Sequence, residues 1–201
     1  MAGRLPKVSI ETWLETARRI LIDDGIVGLK VDRIAQRLGV TRGGFYHNFK
    51  DREDFLDRLI AYWEETCKFL PEVPPPAELG KAAEWLDLVI DRLIEGDGYD
   101  QHFDLAVREW ARSDKKAEWA VERADRKRME TLEKIFLTLG YDATSAEIRA
   151  RIFYYHQIGY YAIGVQQSIA ERRRGAKIYL DILCGEDAIA AARAAAAEAI
   201  A

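Results

Sequence analysis

The stretch "VTRGGFYHNFKDRE", Val40 to Glu53, places two adjacent glycines at the start of a short helical pattern and then crowds Phe45, Tyr46, His47 and Phe49 together. Each glycine weakens a helix by roughly 1 kcal/mol against alanine. A residue without a side chain is useful where something bulky must come close to the backbone. Something is therefore expected to approach Gly43 and Gly44, and the flanking sequence indicates what.

Upstream, Val31, Ile34, Ala35 and Leu38 form one short apolar face that ends at Gly39, and Thr41 stands where it would cap the next helix. Two short helices are thus joined by a tight glycine turn. A longer helix precedes them, with Ser9 as N-cap, an apolar face of Ile10, Trp13, Leu14, Ala17, Ile20 and Leu21, and Gly25 as its stop. Another follows, capped by Asp51 and carrying Leu56, Leu59, Ile60, Trp63, Cys67 and Leu70 until the prolines of "PEVPPP", Pro71 to Pro76, end it. This order describes a helix-turn-helix unit, whose second short helix enters the DNA major groove. DNA is then what approaches the glycines. Lys30, Thr41, Arg42, Tyr46, His47, Lys50 and Arg52 supply the cations and hydroxyls that grip phosphate and read base edges.

The segment from about residue 10 to 56, "WLETARRILIDDGIVGLKVDRIAQRLGVTRGGFYHNFKDREDFL" at its core, resembles the DNA-binding head of the TetR (tetracycline repressor-like) family of bacterial transcription regulators. The family pattern is met in register at Ala17, Leu21, Gly25, Val31, Ile34, Ala35, Gly39, Val40, Thr41, Gly43, Tyr46, Phe49, Glu53 and Leu56. The resemblance implies that Tyr46 and Arg52 hold phosphate and that Thr41, Arg42, Gly44 and His47 lie nearest the groove. The chain departs from the pattern at Gly44, where threonine, alanine or serine is usual. That departure shifts operator reading toward Arg42, His47 and DNA shape.

Charge agrees once the chain is divided. The whole of its 201 residues carries −4, but residues 1–62 hold 11 Lys and Arg against 9 Asp and Glu, and the remainder 19 against 25. A mildly basic head on an acidic body results. The start "MAGRLPKVSIE" has no apolar run of signal-peptide length, and no later stretch nears the ~20 apolar residues of a membrane span. A cytoplasmic protein without membrane contact is expected. Cys67 and Cys184 are far apart and outside any metal-binding spacing, so they are read as small buried residues.

Beyond the prolines the period stays helical and the fold class expected is all-α. Helices are read over Leu79 to Leu93, closed by "GDG"; over Phe103 to Trp110; and over about Lys115 to Leu139, ended by Gly140. Thr144 with Glu147 has capping-box spacing and opens a helix read through Ile148, Ile152, Tyr155, Ile158 and Gln166 to the basic end "ERRRG", Glu171 to Gly175. A shorter helix, Lys177 to Leu183, and an alanine-rich tail follow. The expected organisation is a DNA-binding domain over 1–55 and an effector-binding and dimerisation domain over 56–201.

By the same resemblance the body dimerises through its last two long helices, here about 144–172 and 177–184, with Gly159, Ala162 and Gly164 giving close contact. A twofold dimer also suits a palindromic operator, whose half-sites lie about one helical turn, ~34 Å, apart. An unidentified small-molecule effector is expected among Trp85, Phe103, Trp110, Tyr154, Tyr155 and His156, aromatics with a few polar groups to orient a ligand. Asp125 and Arg128, three apart, form either a partly buried pair or solvated charges. No cofactor and no metal are expected. Two rivals remain, a metal-dependent enzyme using "DQHFD", Asp100 to Asp104, and a helical protein-interaction module. The sequence lacks HExxH, GxSxG and any phosphate-cradling loop.

Overall fold

The computed structural model describes residues 8–198, and all regular structure among them is helical. In chain order the elements are α1 (Ile10–Gly28), α2 (Val31–Arg37), α3 (Arg42–Asn48), α4 (Arg52–Thr66), α5 (Leu79–Glu95), α6 (Gln101–Ala111), α7 (Lys115–Thr138), α8 (Ala143–Ile163), α9 (Ile169–Cys184) and α10 (Glu186–Glu198). The all-α expectation holds. No helix among the described residues is long and apolar enough to cross a membrane. Packing divides the chain into two compact units, Met1–Cys67 with Asp100–Glu122 and Lys68–Tyr99 with Arg123–Ala201.

The first unit contains α1 to α4, α6 and the start of α7. Ser9 caps α1 by accepting from the Thr12 backbone N–H, and Gly25 breaks its regular course at φ 66°, although helical turns resume to Gly28. Asp51 caps α4 through the Asp54 N–H. The helix ends at Thr66, so the expected continuation over Cys67 to Leu70 is not made; the Cys67 N–H is the last to return to the helix, and Cys67 itself is buried. α6 packs on α1 and α4. Its N-cap is Asp100, which accepts from the His102 and Phe103 N–H groups, while Asp104 is fully buried and accepts from Trp63 Nε1 at 3.2 Å and Arg108 Nε at 2.7 Å. "DQHFD" therefore opens a helix and anchors a core, and its exposed His102 is directed elsewhere.

In the second unit, the proline segment is held in place by Trp85 Nε1 donating to the Val73 carbonyl and Thr138 Oγ1 to the Pro76 carbonyl. Gly96 ends α5 in the left-handed region. α8 starts earlier than the Thr144 and Glu147 spacing suggests, because Asp142 accepts the Ser145 N–H and takes the N-cap position. The long helix expected through Gln166 also divides. Gly164 closes α8 at φ 73°, and Ser168 with Glu171 forms a complete capping box that opens α9, so "ERRRG" belongs to the same helix as Lys177 to Leu183. Gly164 thus serves as a helix stop.

The alanine-rich tail forms α10 and lies against α5. Gly80 permits this contact, since a Cβ there would meet the Ala196 backbone nitrogen at 2.9 Å. Residues 199–201 of the tail lie outside the described residues.

Candidate nucleic-acid interface

The turn between α2 and α3 follows from Gly39. Its φ of 65° lets the Gly39 N–H reach the Gln36 carbonyl and the Val40 N–H reach the Ala35 carbonyl, the paired bonds of a Schellman stop. α3 then begins after Thr41, whose side chain makes no capping bond. One face of α3 is anchored by rings. Phe45 lies edge-on to Trp13 at 5.7 Å and to Phe55 at 5.3 Å, and Phe49 stands 5.0 Å from both Phe45 and Phe55. Trp13, Phe45, Phe49 and Phe55 are at most 1% exposed. Four buried rings therefore fix the orientation of a seven-residue helix too short to be stable alone.

The opposite face is open. Thr41, Arg42, Gly43, Tyr46 and His47 are all exposed, as are Lys30 at the N-cap of α2, Lys50, and Arg52 at the start of α4. Arg42 Nη2 donates to the Tyr46 hydroxyl at 3.3 Å, and its Nη1 lies 3.6 Å from Asp32 Oδ1. Tyr46 keeps its own hydroxyl proton for another acceptor. Arg33 and Arg37 are paired with Asp24 and Asp23 on α1. Lys30, Lys50 and Arg52 are exposed, so their side chains are open to phosphate.

Gly44 is the more enclosed of the two glycines. A Cβ built on it would point into the head, 3.6 Å from Trp13 Cζ2 and 3.8 Å from Val40 Cγ2, both ordinary contacts. What approaches Gly44 is the Trp13 indole. A Cβ on Gly43 would meet only Thr41 Oγ1, at 3.6 Å, so Gly43 alone of the pair offers bare backbone outward.

Two features escape the sequence. Asp32 faces Arg42 across the turn, and Lys116 Nζ bonds Glu53 at 2.8 Å and both Asp57 oxygens at 2.8 and 2.9 Å, which raises the Lys116 pKa. The second pairing joins residues far apart in the chain, and no local pattern encodes it.

The six aromatic candidates for an effector site do not converge. Phe103 and Trp110 are core residues of α6 in the first unit. Trp85 is buried in α5, and Tyr155 is 57% exposed. Tyr154 is buried and accepts from Arg128 Nη1 at 3.2 Å while donating to Asp125 at 2.5 Å. Asp125 and Arg128 are thus joined through a tyrosine, and the buried Arg128 also lies over the Phe69 ring. Of the six, His156 borders a cavity of the second unit, one of about 340 Å³ that also takes in Gln157, Tyr160, Arg172 and Tyr179.

Comparison with known proteins bears on this geometry. The family model described as bacterial regulatory proteins, tetR family, matches residues 14–59, which span the turn, the open face of α3 and the ring cluster apart from Trp13. No curated protein matches the sequence. Among solved structures the chain is similar to a transcriptional regulator from Rhodococcus sp. Rha1, at 18% identity, with a TM-score of 0.60 over 91% of this chain and 95% of that one. At that identity the likeness is one of fold. A crystal structure of BioQ with its natural double-stranded DNA operator is similar at 18% identity and a TM-score of 0.41, over 89% of this chain and 99% of that one. The matched segment coincides with the helix-turn-helix, so residues 14–59 are similar to the corresponding segment of bacterial regulatory proteins of the tetR family.

Proposed function

We propose that the protein is a homodimeric repressor that binds a palindromic operator and releases it when a small molecule occupies the C-terminal part. The observation that carries the DNA half is the two-sided α3, with Phe45 and Phe49 buried behind it and Thr41, Arg42, Gly43, Tyr46 and His47 exposed together in front. In this reading residues 1–55 bind DNA and 56–201 bind effector and partner. Tyr46, Lys50, Arg52 and Lys30 hold phosphate, and Arg42 and His47 face base edges.

Dimerisation through α8 and α9 is supported by an uncovered apolar stripe. Ile148, Ile152 and Tyr155, spaced four and three apart on α8, are 50%, 52% and 57% exposed, and Ile178 and Ile182 on α9 are 62% and 77% exposed. Such a stripe fits a second copy of the same chain, which would present the same surface by twofold symmetry. Effector control follows as a population shift, in which a ligand that binds one arrangement of the dimer more tightly lowers the share able to span two half-sites.

The test is selection of bound duplexes from a random pool with the full chain, repeated with Tyr46→Phe and Arg42→Ala. A palindromic site whose binding is weakened evenly by the first change and altered in base preference by the second supports the reading. A folded dimer that enriches no site at moderate salt counts against it.

A further inference from the structure

Four carboxylates, Asp51, Glu53, Asp54 and Asp57, open α4 around Arg52, one of the cations that the proposed reading sets against phosphate. Two of the four are engaged close by. Asp51 accepts the Asp54 N–H as the helix cap, and Asp54 accepts from the Lys50 N–H and from Arg58 Nε, both at 3.0 Å, which hold its carboxyl below the ordinary range. Glu53 and Asp57, one turn apart and both exposed, take their cation from α7 instead. Lys116 Nζ bonds Glu53 at 2.8 Å and the two Asp57 oxygens at 2.9 and 2.8 Å.

The start of α7 places that cation. Asp114 accepts the Lys116 N–H at 2.9 Å and the Ala117 N–H at 3.1 Å, which fixes the first turn of the helix. The neighbouring Lys115 is engaged by Glu118 on its own helix, at 2.6 Å. Leu56, Ile60 and Trp110, all buried, line the cleft that Arg52, Glu53, Asp57 and Lys116 also border. The hydrogen bonds from Asp57 and Glu53 raise the Lys116 pKa, so the side chain keeps its charge.

An exposed group of this kind contributes little to folding. Its effect on a nearby polyanion is larger. Without Lys116 two carboxylates stand uncompensated beside Arg52, and at low salt, where the screening length reaches ~30 Å at 0.01 M, both repel any phosphate that Arg52 holds. With Lys116 the three side chains sum to −1 in place of −2.

We propose that Lys116 is a charge-compensating residue of the DNA interface, which by holding Glu53 and Asp57 lowers the repulsion between α4 and the operator backbone and lets Arg52 engage phosphate. The inference rests on the DNA-binding reading and adds to it a positioning residue that lies outside the matched segment 14–59.

The test is fluorescence-anisotropy titration of the full-length protein with the duplex selected by the wild type and with a mixed-sequence duplex, across a series of salt concentrations. Affinity at low salt should follow the charge of the three positions. Glu53→Gln with Asp57→Asn binds tightest, the same pair combined with Lys116→Gln next, the wild type third, and Lys116→Gln alone about three- to tenfold more weakly than the wild type. Lys116→Arg keeps wild-type affinity, and the differences shrink as salt rises on both duplexes. A tie that only positions α4 gives another order, since Glu53→Gln with Asp57→Asn breaks the same bonds and weakens binding as Lys116→Gln does, with no restoration in the triple variant. That order, or a Lys116→Gln protein with unchanged affinity at low salt, overturns the proposal. Circular dichroism melts of each variant confirm that the fold is kept. A folded wild type that binds neither duplex at any salt removes the DNA-binding reading and this inference with it, whereas a wild type that binds while its variants fall in the wrong order removes this inference alone.

Discussion

Arg42 and Tyr46, one turn apart on α3, hold each other before any DNA is present. The guanidinium donates to the phenol oxygen at 3.3 Å and stands 5.8 Å from the ring centroid, with Asp32 at 3.6 Å on its other side. In the proposed DNA-binding reading Arg42 is thereby kept in one orientation for a base edge, and the carboxylate that helps hold it would oppose the phosphates.

Replacing Asp32 with asparagine should therefore raise operator affinity. All three groups are exposed, so the ion pair itself contributes little to folding. Removing the carboxylate frees Arg42 and removes one repulsive charge from the interface. Roughly a two- to fivefold gain at low salt, shrinking as salt rises, is expected in fluorescence-anisotropy titrations. An unchanged or weakened affinity would mean that Asp32 positions Arg42 more than it restrains it.

The two glycines of α3 should respond differently to alanine. Either change gains helix propensity worth about 0.5–1 kcal/mol. At Gly44 the added methyl fills space against Trp13 and Val40 at ordinary contact distances, so the melting temperature should rise with operator affinity kept. At Gly43 the methyl projects from the exposed face. Stability should again be preserved, but affinity should fall by about tenfold if DNA backbone passes close there. Equal effects of the two changes on affinity would place both glycines on the same side of the helix, contrary to the geometry.

The head is legible in the sequence because its signals are local. Ser9, Gly39 and Asp51 each act within four residues, through a cap or a left-handed turn, and each does in the structure what its chemistry dictates. The all-α class follows from periodicity in the same way. Legibility fails where two local signals compete or where partners are distant. Thr144 with Glu147 has the spacing of a capping box, but Asp142 reaches the Ser145 N–H and takes the cap. The Ser168 and Glu171 box that opens α9 is equally visible, yet the apolar period running on past Gly164 obscures it. Phe103 and Trp110 read as pocket residues because aromatics at helical spacing look alike from sequence. Their burial is decided by the packing of α6 on α1 and α4, which local periodicity does not report. The cavity itself combines residues from three helices of the second unit, α5, α8 and α9.

The uncovered stripe on α8 gives a direct test of the dimer. Ile148, Ile152 and Tyr155 lie opposite Ala146, Ala150, Phe153 and Tyr154, which are buried within the unit, so α8 is apolar on two sides. Ile152→Glu combined with Ile178→Glu adds charge only to exposed positions. The folded helical content should be unchanged by circular dichroism, while light scattering after size exclusion should shift from dimer to monomer and operator binding should fall by at least about 100-fold. A variant that stays dimeric would place the interface elsewhere.

His156 should make stability depend on pH in a defined direction. Burial, followed by the nearby positive charge of Arg172, lowers its pKa below the ordinary 6.5. The groups facing it are Tyr160 on its own helix and Arg172, Glu171 and Tyr179 from α9, whereas α5 contributes only Ile90, Leu93 and Ile94 to the shared cavity. Its Nδ1 lies 3.3 Å from Gln157 Nε2, a contact that a neutral imidazole can accept and a protonated one cannot. Between the lowered folded value and 6.5 the unfolded chain binds more protons than the folded one, so stability rises with pH in that window. The contribution is fully present above 6.5 and is lost as pH falls through the folded value. Urea melts of the wild type and His156→Gln at about pH 7.5 and about pH 5 measure it. The wild type should lose more stability on acidification than the variant, and equal losses would show that the imidazole titrates alike in both states.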